Sequence, residues 1–257
     1  MSTILELKGL GKRFGGLTAL SNVDLRAGEG QITGLIGPNG AGKTTCFNLI
    51  TGTLSATSGQ VVFKGEDTTG LQPHKLVERG LARTFQSATT FPAATVRENI
   101  LRSALLRHRV GPLQTLFGGA AAKRAEAAAA GTVEEAMDAL DLTDHADRLA
   151  GTLAYGHQKR LGVAIGLATR PDLLLLDEPA AGLNPEEVDR FATILGTLRS
   201  RFGLSILIVE HHMRLIMRVC DHIAVLDHGE KIAEGTPSQM QNDPKVIEAY
   251  LGAEHVE

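Results

Sequence analysis

Two stretches of this 257-residue chain carry side chains suited to phosphate chemistry. Gly37-Pro38-Asn39-Gly40-Ala41-Gly42-Lys43-Thr44 matches G-x-x-x-x-G-K-[ST]. It follows the apolar run Gln31–Ile36 and opens a helix-like run, Thr44–Thr51, which is the context the pattern requires. Glycines let backbone N–H groups curl around an anion without Cβ clashes. A helix start adds partial positive charge, and Lys43 adds a full one against the outer phosphates. The Thr44 hydroxyl can ligate Mg²⁺, and Thr45 can hydrogen-bond a neighbouring phosphate. The second stretch is Leu173–Asp177, four leucines that end in Asp177 and Glu178. A run of that kind is a strand covered on both faces, and ligands collect at the carboxyl ends of such strands. Asp177 is placed to hold Mg²⁺, directly or through water, and Glu178 to take a proton from an attacking water. Together the two stretches imply a magnesium-dependent nucleotide hydrolase.

The elements that must position these groups are short apolar runs alternating with longer mixed ones. Ile4–Leu7, Gln31–Ile36, Val61–Phe63, Leu173–Asp177, Ser205–Val209 and Ile223–Leu226 read as strands. Thr44–Thr51, Glu186–Arg201 and Met213–Cys220 read as helices. The alternation predicts an α/β fold with a largely parallel sheet. The first thirty residues and the stretch around Gln60–Lys64 are Gly-punctuated and read as an antiparallel edge. From Thr95 to Leu149 no strand is evident. Thr95 with Glu98, and Thr132 with Glu135, each fit a helix capping box. A helical insertion is therefore expected between the strands. Its positive stretch, with Arg102, Arg107, Arg109, Lys123 and Arg124 and no acid between Asn99 and Ala125, reads either as a solvated face or as a basic surface near acidic lipid or a partner.

Composition bounds the rest. Apolar residues make up 43% and charged residues 21%, which fits a globular chain able to bury a core without disulfides. The formal net charge of -3 argues against a dedicated nucleic-acid binder. Cys46 and Cys220 cannot form a disulfide framework, and Met1–Leu10 does not resemble a signal peptide, so a cytosolic site is expected. No apolar run approaches the ~18 residues of a membrane span.

Four further motifs, in order with the acidic strand, resemble those of the ATP-binding subunits of ABC transporters. Arg83-Thr84-Phe85-Gln86 looks like that family's Q-loop. Leu153-Ala154-Tyr155-Gly156-His157-Gln158 looks like its signature, usually L-S-G-G-Q. Asp177-Glu178 ends its acidic strand, Gly182-Leu183-Asn184 leads into its D-loop, and Val209-Glu210-His211 looks like its switch histidine. The resemblance covers nearly the whole chain. It implies a P-loop NTPase core with a mostly parallel sheet, an antiparallel N-terminal edge sheet and an inserted helical subdomain. On that reading 1–257 is a single domain, with 1–86 and 170–257 as the ATP-binding core and 87–169 as the helical and signature subdomain. The cofactors implied are ATP and Mg²⁺.

The resemblance also assigns roles. Phe14 stacks on adenine. Gly37, Pro38, Asn39, Gly40, Ala41, Gly42, Lys43, Thr44 and Thr45 hold the phosphates, and Thr44, Gln86 and Asp177 serve Mg²⁺. Glu178 is the general base, with Gln86, His211 and Lys43 completing the catalytic set. His211 anchors the γ-phosphate, while the adjacent His212, if helical, points elsewhere. Ala154, Tyr155, Gly156 and His157 contact the ATP of a second subunit. Ala154 lacks the signature hydroxyl, at a cost of about 1 kcal/mol if one hydrogen bond is lost. His157 replaces Gln, and a steric replacement is expected rather than a pH-dependent charge.

One phosphate loop and one signature per chain imply a dimer, homo- or heteromeric, closed by ATP and released by hydrolysis. Gly229–Pro237, Asp243–Gly252, Arg13–Leu17, Arg79–Gln86 and Ala180–Pro185 resemble the branched-chain amino-acid importers. The implied partners are a second ATPase subunit, two membrane permeases and, indirectly, a solute-binding protein, with no nucleic acid. The implied location is the cytoplasmic face of the membrane. Alternatives are importers of urea, amides or aromatic acids, a lipopolysaccharide-type exporter, and a soluble ATPase acting on nucleic acid or the ribosome.

Overall fold

The computed structural model describes residues 2–84, 90–107 and 120–253. Two sheets form its frame. The strands Thr3–Phe14 (β1), Leu17–Gly28 (β2), Ser58–Phe63 (β4) and Glu66–Asp67 (β5) make an antiparallel sheet in the order β2-β1-β4-β5. The strands Ile32–Ile36 (β3), Leu81–Arg83 (β6), Leu173–Asp177 (β7), Ser205–Val209 (β8), His222–Asp227 (β9) and Glu230–Gly235 (β10) make the second, ordered β10-β9-β3-β8-β7-β6. All its pairings are parallel except the β9–β10 hairpin.

Every residue of β3, β7 and β8 is buried, as their unbroken apolar runs require. Successive side chains point to opposite faces. Leu174, Leu176, Ile206 and Ile208 pack with Ile100, Met137, Leu161 and Leu195 of the helical layer. Their neighbours Leu173, Leu175, Leu207 and Val209 pack instead with Phe47, Leu7 and Val23 below the antiparallel sheet. The parallel sheet is thus the middle layer.

The helices are Lys43–Ile50 (α1), Pro73–Glu78 (α2), Val96–Arg107 (α3), Ala120–Ala139 (α4), Tyr155–Leu167 (α5), Pro185–Phe202 (α6), Met213–Val219 (α7), Pro237–Gln241 (α8) and Pro244–Ala253 (α9). Among the described residues no helix is long and apolar enough to cross a membrane.

The strands expected at Leu173–Asp177 and Ser205–Val209 have those bounds, and the antiparallel edge is present. The first strand runs on to Phe14, and β2 was not foreseen. Register shifts near Leu7, Leu10 and Lys12 break the alternation that would reveal them. The Thr95 capping box is made: Glu98 N donates to Thr95 Oγ1 at 3.1 Å, and Thr95 N to Glu98 Oε2 at 2.8 Å. The expected box at Thr132 and Glu135 is not. The alanine-rich helix continues through that point, Thr132 Oγ1 donates back to Ala128 O at 3.1 Å, and Glu135 pairs with Arg170 at 2.8 Å.

Candidate functional site

Strand register brings the two chemical stretches to one edge of the parallel sheet. Leu35 of β3 stands beside Val209 of β8, and Val209 beside Asp177 of β7. The loop after β3, the acids after β7 and the histidine after β8 therefore leave the sheet at the same level. That is the carboxyl edge at which α/β sheets hold ligands.

The loop is shaped from behind. Gly37 has φ 149°, and a Cβ there would lie 2.0 Å from Leu226 O. Gly42 caps α1 in the left-handed region, with φ 99°, and a Cβ there would lie 2.8 Å from Ala19 O. Neither position admits a side chain. Gly229 N donates to Ala41 O at 3.1 Å, tying the loop to the β9–β10 turn. The buried Lys43 Nζ donates to Gly37 O at 2.7 Å and Pro38 O at 2.8 Å. Its ammonium thus lies over the loop, where an anion seated on the N–H groups would meet it. Burial lowers the Lys43 pKa below its ordinary value, and the nearby Glu178 carboxylate acts the other way. Thr44 is exposed and Thr45 half-buried in the first turn of α1.

Asp177 is buried at 7% exposure, and its Oδ2 lies 2.6 Å from Arg83 Nη2. Glu178 has φ 46°, a strained setting for a residue with a Cβ and one that recurs at functional sites. Its backbone is held by Val209 O, which accepts from Glu178 N at 2.9 Å, and by Lys159 Nζ, which donates to Glu178 O at 3.2 Å.

His211 and His212 precede α7 rather than lying on a helix, so they do not point apart as expected. Their rings sit 5.2 Å apart with a 31° tilt. The cause is Glu210, fully buried, whose Oε2 accepts from His211 N at 2.9 Å and His212 N at 3.1 Å. Its Oε1 accepts from Ala180 N at 2.7 Å. Phe14, at the tip of the β1–β2 hairpin, is 44% exposed with Lys12 Nζ 5.0 Å from its ring centre. It is therefore not an ordinary core side chain. Gln86 lies outside the described residues.

The signature residues start α5. Ala154 is its N-cap and offers no side-chain cap, so anion binding there falls to backbone N–H groups. Tyr155 is exposed and lies against Gly182, beyond the acids of β7. His157 makes an edge contact with His145, ring centres 4.3 Å apart. Burial lowers its pKa, and Arg160, His145, Arg190 and Arg148 lower it further. A group with a depressed histidine pKa is neutral at pH 7, which favours the steric reading of its replacement of Gln.

A family model described as "ABC transporter" matches residues 20–181, more than half of the chain. The chain belongs to the ABC transporter family. It is an ATP-hydrolysing, ATP-binding subunit of an ABC transporter. A second model, described as "Branched-chain amino acid ATP-binding cassette transporter", matches residues 230–256. The high-affinity branched-chain amino acid transport ATP-binding protein BraF of Pseudomonas aeruginosa is 45% identical over 249 residues, covering 97% of this chain and 98% of that one. LivG of Salmonella typhimurium, with the same description, is 41% identical at the same coverage. Among solved structures, the ADP conformation of MJ1267, an ATP-binding cassette of an ABC transporter, superposes with a TM-score of 0.83. It is 32% identical, and 98% of this chain and 100% of that one are covered.

Several residues of this ABC subunit have functions in the site that the motif reading did not assign. Glu210, inside a quoted motif, anchors both His211 and the segment after Glu178. Arg83 anchors Asp177, and Lys159 ties the signature helix to Glu178. The Tyr250 phenol lies buried beside Gly37, and burial raises its pKa while the Gly37 backbone opposes the shift. Glu210→Ala orphans three N–H donors, each costing about 1–3 kcal/mol where buried. The variant is expected to lose about 2–4 kcal/mol of stability. Its urea midpoint should fall accordingly; an unchanged midpoint contradicts the anchoring.

Proposed function

We propose that this chain powers import of branched-chain amino acids as the nucleotide-hydrolysing subunit of a membrane complex. The observation that carries the solute class is the match over residues 230–256. That segment lies outside the phosphate loop and the acidic strand, so shared ATPase chemistry does not explain it. Its described residues form β10 and the helices that follow, and Tyr250 from it reaches the phosphate loop.

ATP lies with its phosphates on the N–H groups of Asn39, Gly40 and residues 42–45 and against Lys43, and with adenine on Phe14; Pro38 has no N–H, and Ala41 N donates to Pro38 O at 3.2 Å. The donor set fits Mg²⁺ brought in by a nucleotide. Among the described residues no group of three or more His, Cys, Asp or Glu side chains could hold a metal by itself. Thr44 and Asp177, with Gln86, would hold Mg²⁺ on the protein side, the nucleotide and water supplying the remaining ligands. Bound there, Mg²⁺ would neutralise phosphate charge. Glu178 accepts a proton from a water, whose oxygen attacks the γ-phosphorus as the bond to ADP breaks. His211, held by Glu210, keeps the γ-phosphate and that water in place. The N-terminus of α5, from a second identical or similar subunit, covers the γ-phosphate with the N–H groups of Tyr155 and Gly156, while His157 N donates to Ala154 O at 2.9 Å.

Residues 87–169 form the helical and signature subdomain, with 1–86 and 170–257 as the core. Their described elements, α3 to α5 with two short 3₁₀ turns, are helical. This subdomain carries Phe91, Leu105, Leu106 and Leu149 as exposed apolar side chains. Isolated exposed leucines are common, but four large ones on one small unit favour a covering partner. Two permease subunits dock there at the cytoplasmic face of the membrane, and an external solute-binding protein delivers the amino acid.

Affinity purification of the tagged chain from native membranes tests this reading. Two hydrophobic membrane proteins are expected to co-purify, with ATPase activity that rises on adding leucine-loaded binding protein. A fully active soluble protein carrying RNA overturns it.

A further inference from the structure

Arg83 is the last residue of the edge strand β6, paired with Leu175 of β7. Its guanidinium joins three elements. Nη2 meets Asp177 Oδ2 at 2.6 Å, and both side chains are about nine-tenths buried. Nη1 donates to Asn48 Oδ1 at 2.6 Å and Thr51 Oγ1 at 3.4 Å, near the end of α1. The Phe47 ring lies 5.7 Å from its central carbon. Thr51 Oγ1 in turn donates to Phe47 O at 2.8 Å, so its acceptor face is turned to the arginine.

We infer that Arg83 is a positioning residue for magnesium: it fixes the Asp177 carboxylate through Oδ2, leaving Oδ1 for Mg²⁺ or a water bound to it. The inference rests on the reading of Asp177 as the carboxylate that serves the metal. A carboxylate held at one oxygen presents the other in one direction, which suits a hard cation that demands near-ideal geometry. The guanidinium also repels Mg²⁺, so two effects compete. Partners that orient a metal ligand are worth about 10- to 100-fold in metal affinity. Repulsion is softened because the positive charge is already paired and shared with Asn48. Orientation therefore dominates. The planar fork matters, since separate nitrogens reach Asp177 and Asn48 at once, which a lysine ammonium does less well.

The test is a Mg²⁺ titration of the intact protein at fixed fluorescent ATP analogue, read by anisotropy rather than turnover. For Arg83→Met the midpoint is expected to rise about 10- to 100-fold, with analogue binding in EDTA retained. Arg83→Lys is expected to lie between Arg83→Met and wild type. An unchanged or lowered midpoint in Arg83→Met overturns the inference. If Arg83→Met does not fold, Arg83→Lys decides: a raised midpoint supports the inference and a wild-type midpoint overturns it. Asp177→Asn, measured in parallel, separates the two levels. A raised midpoint there, with none for Arg83→Met, rejects Arg83 alone; a wild-type midpoint for Asp177→Asn rejects the metal reading of Asp177 and the inference with it.

Discussion

Glu178→Gln is expected to stop ATP hydrolysis while leaving ATP bound. The amide keeps the size and branching of the side chain, so the backbone at φ 46° is asked for nothing new. What is lost is the ability to accept the proton of the attacking water. General-base catalysis contributes about 10²- to 10⁴-fold, so kcat should fall by that factor. At 1.36 kcal/mol per tenfold, that is roughly 2.7–5.4 kcal/mol of transition-state stabilisation. Affinity for MgATP should stay within about threefold, because the loop and Lys43 are untouched. If ATP closes two such subunits on each other, as proposed, a variant that binds ATP and does not turn it over should hold that dimer. Light scattering with ATP should therefore show more dimer for Glu178→Gln than for wild type. Unaltered turnover assigns the base elsewhere.

Lys43→Ala is expected to fail one step earlier. Its ammonium, already desolvated and held over the loop by Gly37 O and Pro38 O, is the one full positive charge of that loop. A hydrogen bond to a charged group is worth about 1.5–3 kcal/mol, and more than one phosphate oxygen is within the reach of a flexible lysine. MgATP affinity should fall by about 100-fold or more, with turnover following it down. The two variants separate the roles: Lys43→Ala loses binding and Glu178→Gln loses chemistry. Equal MgATP affinity for Lys43→Ala and wild type contradicts the phosphate role.

Much of this was legible in the sequence because the deciding patterns are local. A glycine loop after a strand, and four leucines ending in two acids, state both their conformation and their chemistry in a few residues. Strand pairing is not local. Nothing in Leu173–Asp177 or Ser205–Val209 says that β8 lies between β3 and β7, yet that order sets Leu35, Val209 and Asp177 side by side. β2 was hidden by bulges, and β6 is too short to show a period. The anchoring residues share that obscurity. Arg83 meets Asp177 across 94 residues, and Glu210 meets Ala180 across 30. Each looks like an ordinary charged residue until the fold buries it against a partner. The Thr132 capping box shows the opposite error, a genuine local pattern overridden by a helix that did not end there.

Uptake of radiolabelled leucine measures the coupling of this ATPase to transport most directly. Membranes carry the native complex with either the wild-type chain or Glu178→Gln, and assembly is verified by co-purification of the permeases. ATP-dependent uptake with the wild-type chain, and none above background with Glu178→Gln in an equally assembled complex, is the predicted result. Equal uptake with both chains would contradict the account.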